Sequence, residues 1–122
     1  MKRGRGASFS LEKRMIETTR LKLIKSPQDF ADNINTQPTA ILYFTTPTCN
    51  VCKAVFPKLT ELSSNYAFPL LKIDGSMHPD IAAQNNVFTV PTILVFHEGK
   101  EVLRESRFID FNKIQRILDL LS

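Results

Sequence analysis

The chain has 122 residues, of which 43% are hydrophobic, enough for one folded domain with a core that needs no metal or disulfide. Charge is uneven, since residues 1–25 carry eight lysines or arginines against two glutamates, and the remaining 97 residues have a net charge of −2. The basic character therefore belongs to the leading segment, and a pI near 9.3 does not by itself indicate a nucleic-acid-binding protein.

Residues 1–19 are predicted to form a basic N-terminal arm. Residues 1–9 contain two glycines and three charges without periodicity, whereas Ser10 is suited to cap a short helix over residues 10–19. An unstructured terminus is the simplest interpretation, and docking onto RNA or an acidic partner is the functional alternative. The arm lacks interleaved aromatic residues on which bases could stack, so nucleic-acid binding is not expected.

The basic start Lys2-Arg3-Gly4-Arg5 is not followed by the apolar run of a secretory signal. No apolar stretch is long enough to cross a membrane, so we expect no membrane partner. Two cysteines are too few for a disulfide framework. These observations favour a cytoplasmic protein, and nothing in the sequence requires more than a monomer.

The first elements along the chain are predicted to be a strand, a helix and a second strand. Residues 20–25 alternate between apolar and polar side chains, as in a strand. Ser26-Pro27-Gln28-Asp29 then supplies a cap, a proline at the first helical position and an acid, which predicts a helix to about Asn33. Residues 40–44 are apolar on both faces, as expected of a central parallel strand covered by helices.

The rest of the chain predicts three more helices and three more strands. Pro57 should kink the first of these helices, and Glu98-Gly99 should turn a hairpin whose second strand is an antiparallel edge strand. The predicted order is β-α-β-α-β-α-β-β-α, and the remaining elements are a helix over 53–62, a strand over 70–73, a helix from Pro79 to about Ala83, strands over 92–96 and 101–104, and a last amphipathic helix capped by Asp110.

The only two cysteines, Cys49 and Cys52, are spaced Cys-x-x-Cys between the apolar run 40–44 and the helical pattern 53–62. This places Cys49 at or just before the first turn of a helix, where unpaired backbone N–H groups point outward. The helix dipole and these N–H groups contribute up to ~2 kcal/mol, and one pKa unit is about 1.4 kcal/mol, so the pKa of Cys49 can fall toward neutrality. Cys52, one turn further, can then close onto Cys49.

Two other uses of the cysteine pair are weaker interpretations. A purely structural disulfide closing so short a loop would contribute only ~1.9 kcal/mol in the chain-entropy model. A zinc site needs two more ligands, and His78 and His97 are too widely separated for a finger-like arrangement, although a dimer could supply a second cysteine pair. No metal or cofactor is expected, and each histidine is interpreted as a surface or turn residue.

Several ordered features together resemble the thioredoxin superfamily. They are the Cys-x-x-Cys at a strand-to-helix junction, Val90-Pro91-Thr92 some forty residues later, and a strand-Gly-strand hairpin after that. The resemblance covers about residues 21–122, and we expect a thioredoxin-like domain over 20–122. It implies an α/β three-layer fold with a central mixed sheet of four to five strands and helices on both faces.

The resemblance also implies roles for individual residues. Cys49 would be the attacking thiolate and Cys52 the resolving thiol, with Pro91 in a cis peptide bond beside the disulfide. The backbone of Val90 would bind an extended substrate by strand addition. Thr48 occupies the place of the usual tryptophan.

Other departures from the family pattern concern tuning and proton transfer. Asn50-Val51 replaces the usual Gly-Pro and should tune the redox potential. Tyr43 stands where thioredoxins bury an aspartate that helps deprotonate the second cysteine, and Leu70 falls near its partner lysine. Removal of the proton from Cys52 would then need water or a neighbouring group. Arg107 aligns with a groove-lining glycine and would narrow the groove or select acidic partners.

Four residues near the dithiol have two interpretations each. Lys53 either supports the thiolate or is an ordinary exposed helix residue. Phe56, Phe88 and Phe108 either form an apolar rim around the dithiol or pack in the core.

The sequence thus predicts a thiol-disulfide oxidoreductase that reduces disulfides in protein substrates. Its partners would be disulfide-containing proteins and an external reductant, either a thioredoxin-reductase-like enzyme or a low-molecular-weight thiol. A narrow-specificity reductase is one alternative. A thioredoxin-fold redox-sensing or interaction module with little general turnover is the alternative from another class.

Overall fold

The computed structural model describes residues 20–122, so the predicted basic arm over 1–19 and its short helix lie outside the described residues. The described chain contains five strands and four helices in the predicted order β-α-β-α-β-α-β-β-α. Their bounds are β1 Leu21–Leu23, α1 Pro27–Thr36, β2 Thr39–Thr45, α2 Asn50–Ser63, β3 Leu70–Asp74, α3 Pro79–Gln84, β4 Thr92–His97, β5 Lys100–Ser106 and α4 Phe111–Leu121.

The five strands form one mixed sheet in the order β1-β3-β2-β4-β5. β3 pairs in parallel with both β1 and β2, whereas β4 is antiparallel to β2 and to the edge strand β5. The expectation of a central parallel strand over 40–44 was therefore only half right. Both faces of β2 are buried as expected, but one of its two neighbours runs the opposite way, which an apolar run alone does not reveal.

Two hydrophobic clusters cover the two faces of the sheet, which gives the predicted three layers. On one face, α1 contributes Phe30 and α3 contributes Ile81 to a cluster with Leu42, Phe44 and other strand residues. On the other face, α2 and α4 pack on the sheet through five fully or nearly fully buried residues and the half-buried residues around them. The five are Cys52, Val55, Leu59, Ile114 and Leu118.

Local signals in the sequence account for most of the element ends. Ser26 Oγ accepts a hydrogen bond from Asp29 N at 3.0 Å, and Asp110 Oδ1 accepts one from Lys113 N at 3.1 Å, so both predicted caps are confirmed. α1 continues past the predicted end at about Asn33 and stops at Thr36. It stops there because Gln37, the residue that precedes Pro38, is extended.

The hairpin turn and the proline-containing helix complete the frame around the site. Glu98 and Gly99 both have positive φ, 51° and 81°, as in the two-residue type I′ turn that matches the twist of the flanking strands. α2 runs from Asn50 to Ser63 and includes Pro57. The kink expected at Pro57 stays a prediction.

Candidate active site

The Cys-x-x-Cys pair lies where β2 turns into α2. β2 ends at Thr45, Cys49 N donates a hydrogen bond to Thr46 O at 3.2 Å, and Cys49 is the N-cap of α2. Cys49 Sγ accepts a hydrogen bond from Cys52 N at 3.2 Å. A sulfur in this position lies at the N-terminus of the helix, whose partial positive charge favours a thiolate once the pair is reduced.

The two cysteines form a disulfide with a Cα–Cα distance of 5.3 Å. Their exposure differs, since Cys49 is half-buried and the Cys52 residue is only 4% exposed. An incoming thiolate or disulfide can therefore reach Cys49 more easily than Cys52. This asymmetry suits one attacking sulfur and one sulfur that acts only within the site.

Tyr43 lies beneath the dithiol at the position where the family resemblance led us to look for an aspartate. The residue is 1% exposed, its hydroxyl donates a hydrogen bond to Cys52 O at 3.2 Å, and its ring stacks on Phe56 with 5.5 Å between centroids. Burial raises the pKa of Tyr43, although the Thr45 side chain partly opposes this. The position therefore holds a neutral hydrogen-bond donor near pH 7.

The predicted substrate groove lies at the edge of the sheet where β2 ends, since Thr92 at the start of β4 is in register with Phe44. The Val90–Pro91 peptide bond is cis, as the resemblance implied, and Arg107 N donates a hydrogen bond to Pro91 O at 3.0 Å. Arg107 has a φ of 66°, a left-handed conformation that costs a non-glycine residue energy. Its exposed side chain, the half-buried Val90 and the exposed Thr48 are the predicted groove residues, and their roles stay predictions.

Large apolar side chains that neighbour the predicted groove residues in the chain are exposed. Phe88 is 81% exposed and Phe108 is 90% exposed, so of their two interpretations the core-packing one is wrong for both. Between the cysteines, Asn50 is exposed and Val51 is 56% exposed. Phe56 is different because it is half-buried and stacks on Tyr43 on the other side of the dithiol. An apolar rim formed by Phe88 and Phe108 stays a prediction, and it would not include Phe56.

On the other side of the dithiol lies a cavity of about 640 Å³, which the sequence analysis missed. Both cysteines line it, and Lys25, Lys53 and Lys72 contribute positive charge to its wall. The strand pairing explains why Lys72 is there, since it is in register with Tyr43 on the neighbouring parallel strand. Two residues in register share one face of a sheet, so a correct prediction of the β2–β3 register would have placed Lys72 beside Tyr43.

Asp74 is the carboxylate among the described residues that line this cavity. Partial burial raises its pKa, but hydrogen bonds from Ser76 Oγ, Ser76 N and Met77 N, together with nearby His78, outweigh this effect and lower the pKa overall. Asp74 Oδ1 accepts all three of these bonds, at 2.6, 2.9 and 3.3 Å. The carboxylate is therefore ionised near pH 7 and tied to the turn that follows β3.

Comparison with known proteins agrees with this geometry. The model of the thioredoxin family matches residues 22–120. The chain belongs to the thioredoxin family. The similarity extends over most of the length of this thioredoxin homologue and includes the strand-to-helix junction that carries the dithiol.

Individual relatives show the range of similarity. This thioredoxin homologue is 35% identical over 108 residues to the thioredoxin-like protein YdfQ of Bacillus subtilis, covering 85% of this chain and 91% of that protein. It is 29% identical over 91 residues to thioredoxin C-2 of Corynebacterium nephridii, covering 73% of this chain and 84% of that one. The structure of oxidised thioredoxin O2 from Arabidopsis thaliana has a TM-score of 0.75 and 22% identity over 85% of this chain and 96% of that one, which shows a shared fold.

Membership of this family makes the chain a thiol-disulfide oxidoreductase, an enzyme that exchanges electrons with disulfide substrates and a reductant. Among residues 20–122, no helix is long and apolar enough to span a bilayer.

The histidines are apart from one another. His78 lines the cavity, whereas His97 Nδ1 lies 2.8 Å from Thr39 Oγ1 at the far end of β4. Within the described part of the chain, no group of three or more histidine, cysteine, aspartate or glutamate residues is arranged to hold a metal ion.

Proposed function

We propose that this thioredoxin homologue reduces disulfide bonds in protein substrates by dithiol/disulfide exchange at Cys49 and Cys52. The observation that carries the proposal is the asymmetry of the pair at the start of α2. Cys49 is half-buried and its sulfur accepts the Cys52 N–H bond, whereas Cys52 is 4% exposed. Such a site holds a reactive thiolate at Cys49 and keeps the second thiol for an internal step.

The proposed reaction has two exchanges. The Cys49 thiolate attacks one sulfur of the substrate disulfide, a mixed disulfide forms, and the other substrate sulfur leaves as a thiolate that takes a proton. Cys52, once deprotonated, attacks Cys49 Sγ, releases the second substrate thiol and leaves the Cys49–Cys52 disulfide. Two electrons pass from the protein dithiol to the substrate.

Deprotonation of Cys52 proceeds without a carboxylate at position 43. The Tyr43 hydroxyl donates to Cys52 O and keeps its proton near pH 7, so it orients this turn and does not accept the thiol proton. Cys52 lines the cavity, which gives water a route to its sulfur. Water therefore takes the proton, and we expect the second exchange to be slower than the first near neutral pH.

Substrate recognition takes place in the groove beside the cis peptide bond. Extended substrate backbone binds the backbone of Val90, next to Pro91, in the manner of an added strand. Thr48 and Arg107 flank this groove, and the Arg107 cation favours acidic segments. Asn50 and Val51 sit between the sulfurs and tune the potential of the pair.

The partners are disulfide-containing proteins and an external reductant, either a thioredoxin-reductase-like enzyme or a low-molecular-weight thiol. A cytoplasmic monomer without a bound cofactor suits this role. A thiol-rich compartment keeps such a dithiol reduced between turnovers.

Alkylation of the reduced protein by iodoacetamide across pH 4–10, with mass spectrometry to identify the cysteine, tests the attacking role of Cys49. We expect Cys49 to react first, with a pKa near or below 7. An unperturbed pKa and slow exchange with insulin disulfides would contradict the reductase proposal.

A second candidate function is a redox-sensing or interaction module, and Tyr43 is the observation that favours it. A neutral tyrosine beside Cys52 leaves the resolving step without a carboxylate at position 43, which lowers turnover but still permits oxidation of the pair. A normal potential combined with negligible insulin reduction would select this second function.

A further inference from the structure

The cavity beside the dithiol has the size and position of a small-molecule site. Its volume of about 640 Å³ lies within the range of roughly 300–1,000 Å³ that is usual for such sites. It lies at the carboxyl ends of the parallel strands β1, β3 and β2, where open α/β sheets bind their ligands. Most of its wall is apolar, including Leu23, Tyr43, Phe56 and Met77.

Three lysines from three different segments converge on this cavity. Lys25 follows β1, Lys53 lies in the first turn of α2, and Lys72 lies in β3 with its Nζ 4.6 Å from the centre of the Phe56 ring. Across residues 20–122, no carboxylate forms an ion pair with any of the three. Asp74 is the one carboxylate on this wall among the described residues, so three lysines against it leave an excess of positive charge.

Both cysteines of the disulfide line the same cavity. An occupant that fits the wall has an apolar body and negative charge for the lysines, and one that uses the disulfide also carries a thiol. We propose that this cavity binds a small thiol that bears carboxylate groups, and that this thiol is the reductant that resets the oxidised dithiol. The inference rests on the proposed function and names the reductant of that same site.

The reset consists of two balanced exchanges. The thiolate of one small molecule attacks Cys49 Sγ, a bond forms between these sulfurs, the Cys49–Cys52 bond breaks, and Cys52 leaves as a thiolate that takes a proton. The thiolate of a second molecule then attacks the sulfur of the first, which forms the small-molecule disulfide and releases the Cys49 thiolate. Two small thiols are oxidised for each protein disulfide reduced.

A matched pair of thiols tests the role of charge. Oxidised protein is mixed with 3-mercaptopropionate or with its neutral amide, and reduction is followed by mass spectrometry with rates corrected for thiolate fraction. We expect the acid to be faster by about tenfold. Lys72→Gln and Lys25→Gln should each bring the ratio of the acid rate to the amide rate most of the way to one. Lys100→Gln, a control at the far end of the sheet, should keep it.

Direct binding is measured with S-methylglutathione, which has carboxylates but no thiol. Amide chemical shifts of the oxidised full-length protein should change at Ile24, Thr46 and Met77, with saturation, and the shifts should weaken in Lys72→Gln. Shifts confined to the groove residues Phe88 and Phe108, or no saturable shift, would overturn the inference, as would an acid-to-amide ratio near one.

A dithiothreitol control separates this inference from the proposed function. If dithiothreitol reduces the pair and the reduced protein reduces insulin while the cavity shows neither charge preference nor binding, then only the cavity inference fails. If the reduced protein does not reduce insulin, the proposed function fails with it.

Discussion

The two sides of the dithiol are built for different kinds of partner. The predicted groove side has the cis peptide bond Val90–Pro91 and the exposed rings of Phe88 and Phe108, and Arg107 adds one cation. The cavity side is concave and has three lysines around an apolar wall. Exposed aromatic rings supply contact area for a polypeptide surface, whereas a cavity of this volume fits a small molecule.

This difference shows how one disulfide can have two substrates. Cys49 lies at the junction of the two sides, so a protein disulfide approaching over the groove and a small thiol in the cavity reach the same sulfur. Substitutions on either side should then change one half of the catalytic cycle and spare the other.

Substitution of the shared cysteines should have the largest effect, because it removes both halves of the cycle. Cys49→Ser should lower insulin reduction by roughly a thousandfold or more, since no attacking thiolate remains. Cys52→Ser should still attack and should accumulate mixed disulfides, visible by mass spectrometry. The opposite pattern, with trapped adducts in Cys49→Ser, would reverse the assignment of the two roles.

Loss of the exposed rings should weaken the reduction of protein disulfides, the reaction assigned to the groove side. Replacing both Phe88 and Phe108 by serine should lower kcat/KM for a protein disulfide by about tenfold, because exposed aromatic rings supply contact area to a partner. Stability should change by less than about 0.5 kcal/mol per site, since both rings are exposed. The control is Leu120→Ser, a 79% exposed apolar residue near the end of α4. Equal losses in the control would show that the rings have no special role.

Arg107→Asn tests whether charge on the groove side selects acidic substrates. Asparagine accepts a positive φ more readily than arginine, so the 66° conformation is kept and the charge is removed. KM for an acidic disulfide peptide should rise about threefold to fivefold, while KM for the matched basic peptide should fall or stay unchanged. Arg116→Gln on α4 is the matched control for net charge. Parallel changes for both peptides would contradict a charge-selecting role.

The smallest expected effect lies away from both sides, at Tyr66. Burial, together with the hydrogen bond to Asp119 and that residue's charge, raises the pKa of Tyr66 to about 12. A pKa that is higher in the folded state adds stability that is complete below the unfolded value near 10 and is lost as pH rises through about 12. Tyr66→Phe should therefore be less stable than the parent at pH 8, by about 1 kcal/mol or less.

Urea unfolding at pH 8 and at pH 11.5 measures this difference. The stability gap between parent and Tyr66→Phe should narrow at the higher pH, and insulin reduction at pH 8 should be equal in the two proteins. A gap that widens with pH would show that the shift has the wrong sign.

Local sequence signals predicted the element order and the position of the dithiol. Local bonds within a few residues form the caps at Ser26 and Asp110 and the turn Glu98-Gly99, so these features can be predicted from the sequence alone. The same is true of Cys49 at the start of α2, since a helix begins there for local reasons. The register between distant strands depends on tertiary packing, so Lys72 beside Tyr43 was missed.

The sequence by itself determined the order of strands and helices and the placement of two cysteines one helical turn apart, because both depend on short-range periodicity and capping. The thioredoxin resemblance was visible as well, since it rests on motifs in a fixed order along the chain. The tertiary structure decided that β2 has one parallel and one antiparallel neighbour, that Phe88 and Phe108 are exposed, and that three lysines meet beside the disulfide. These features come from segments far apart in the chain, brought together because burial of both faces of one sheet fixes their register.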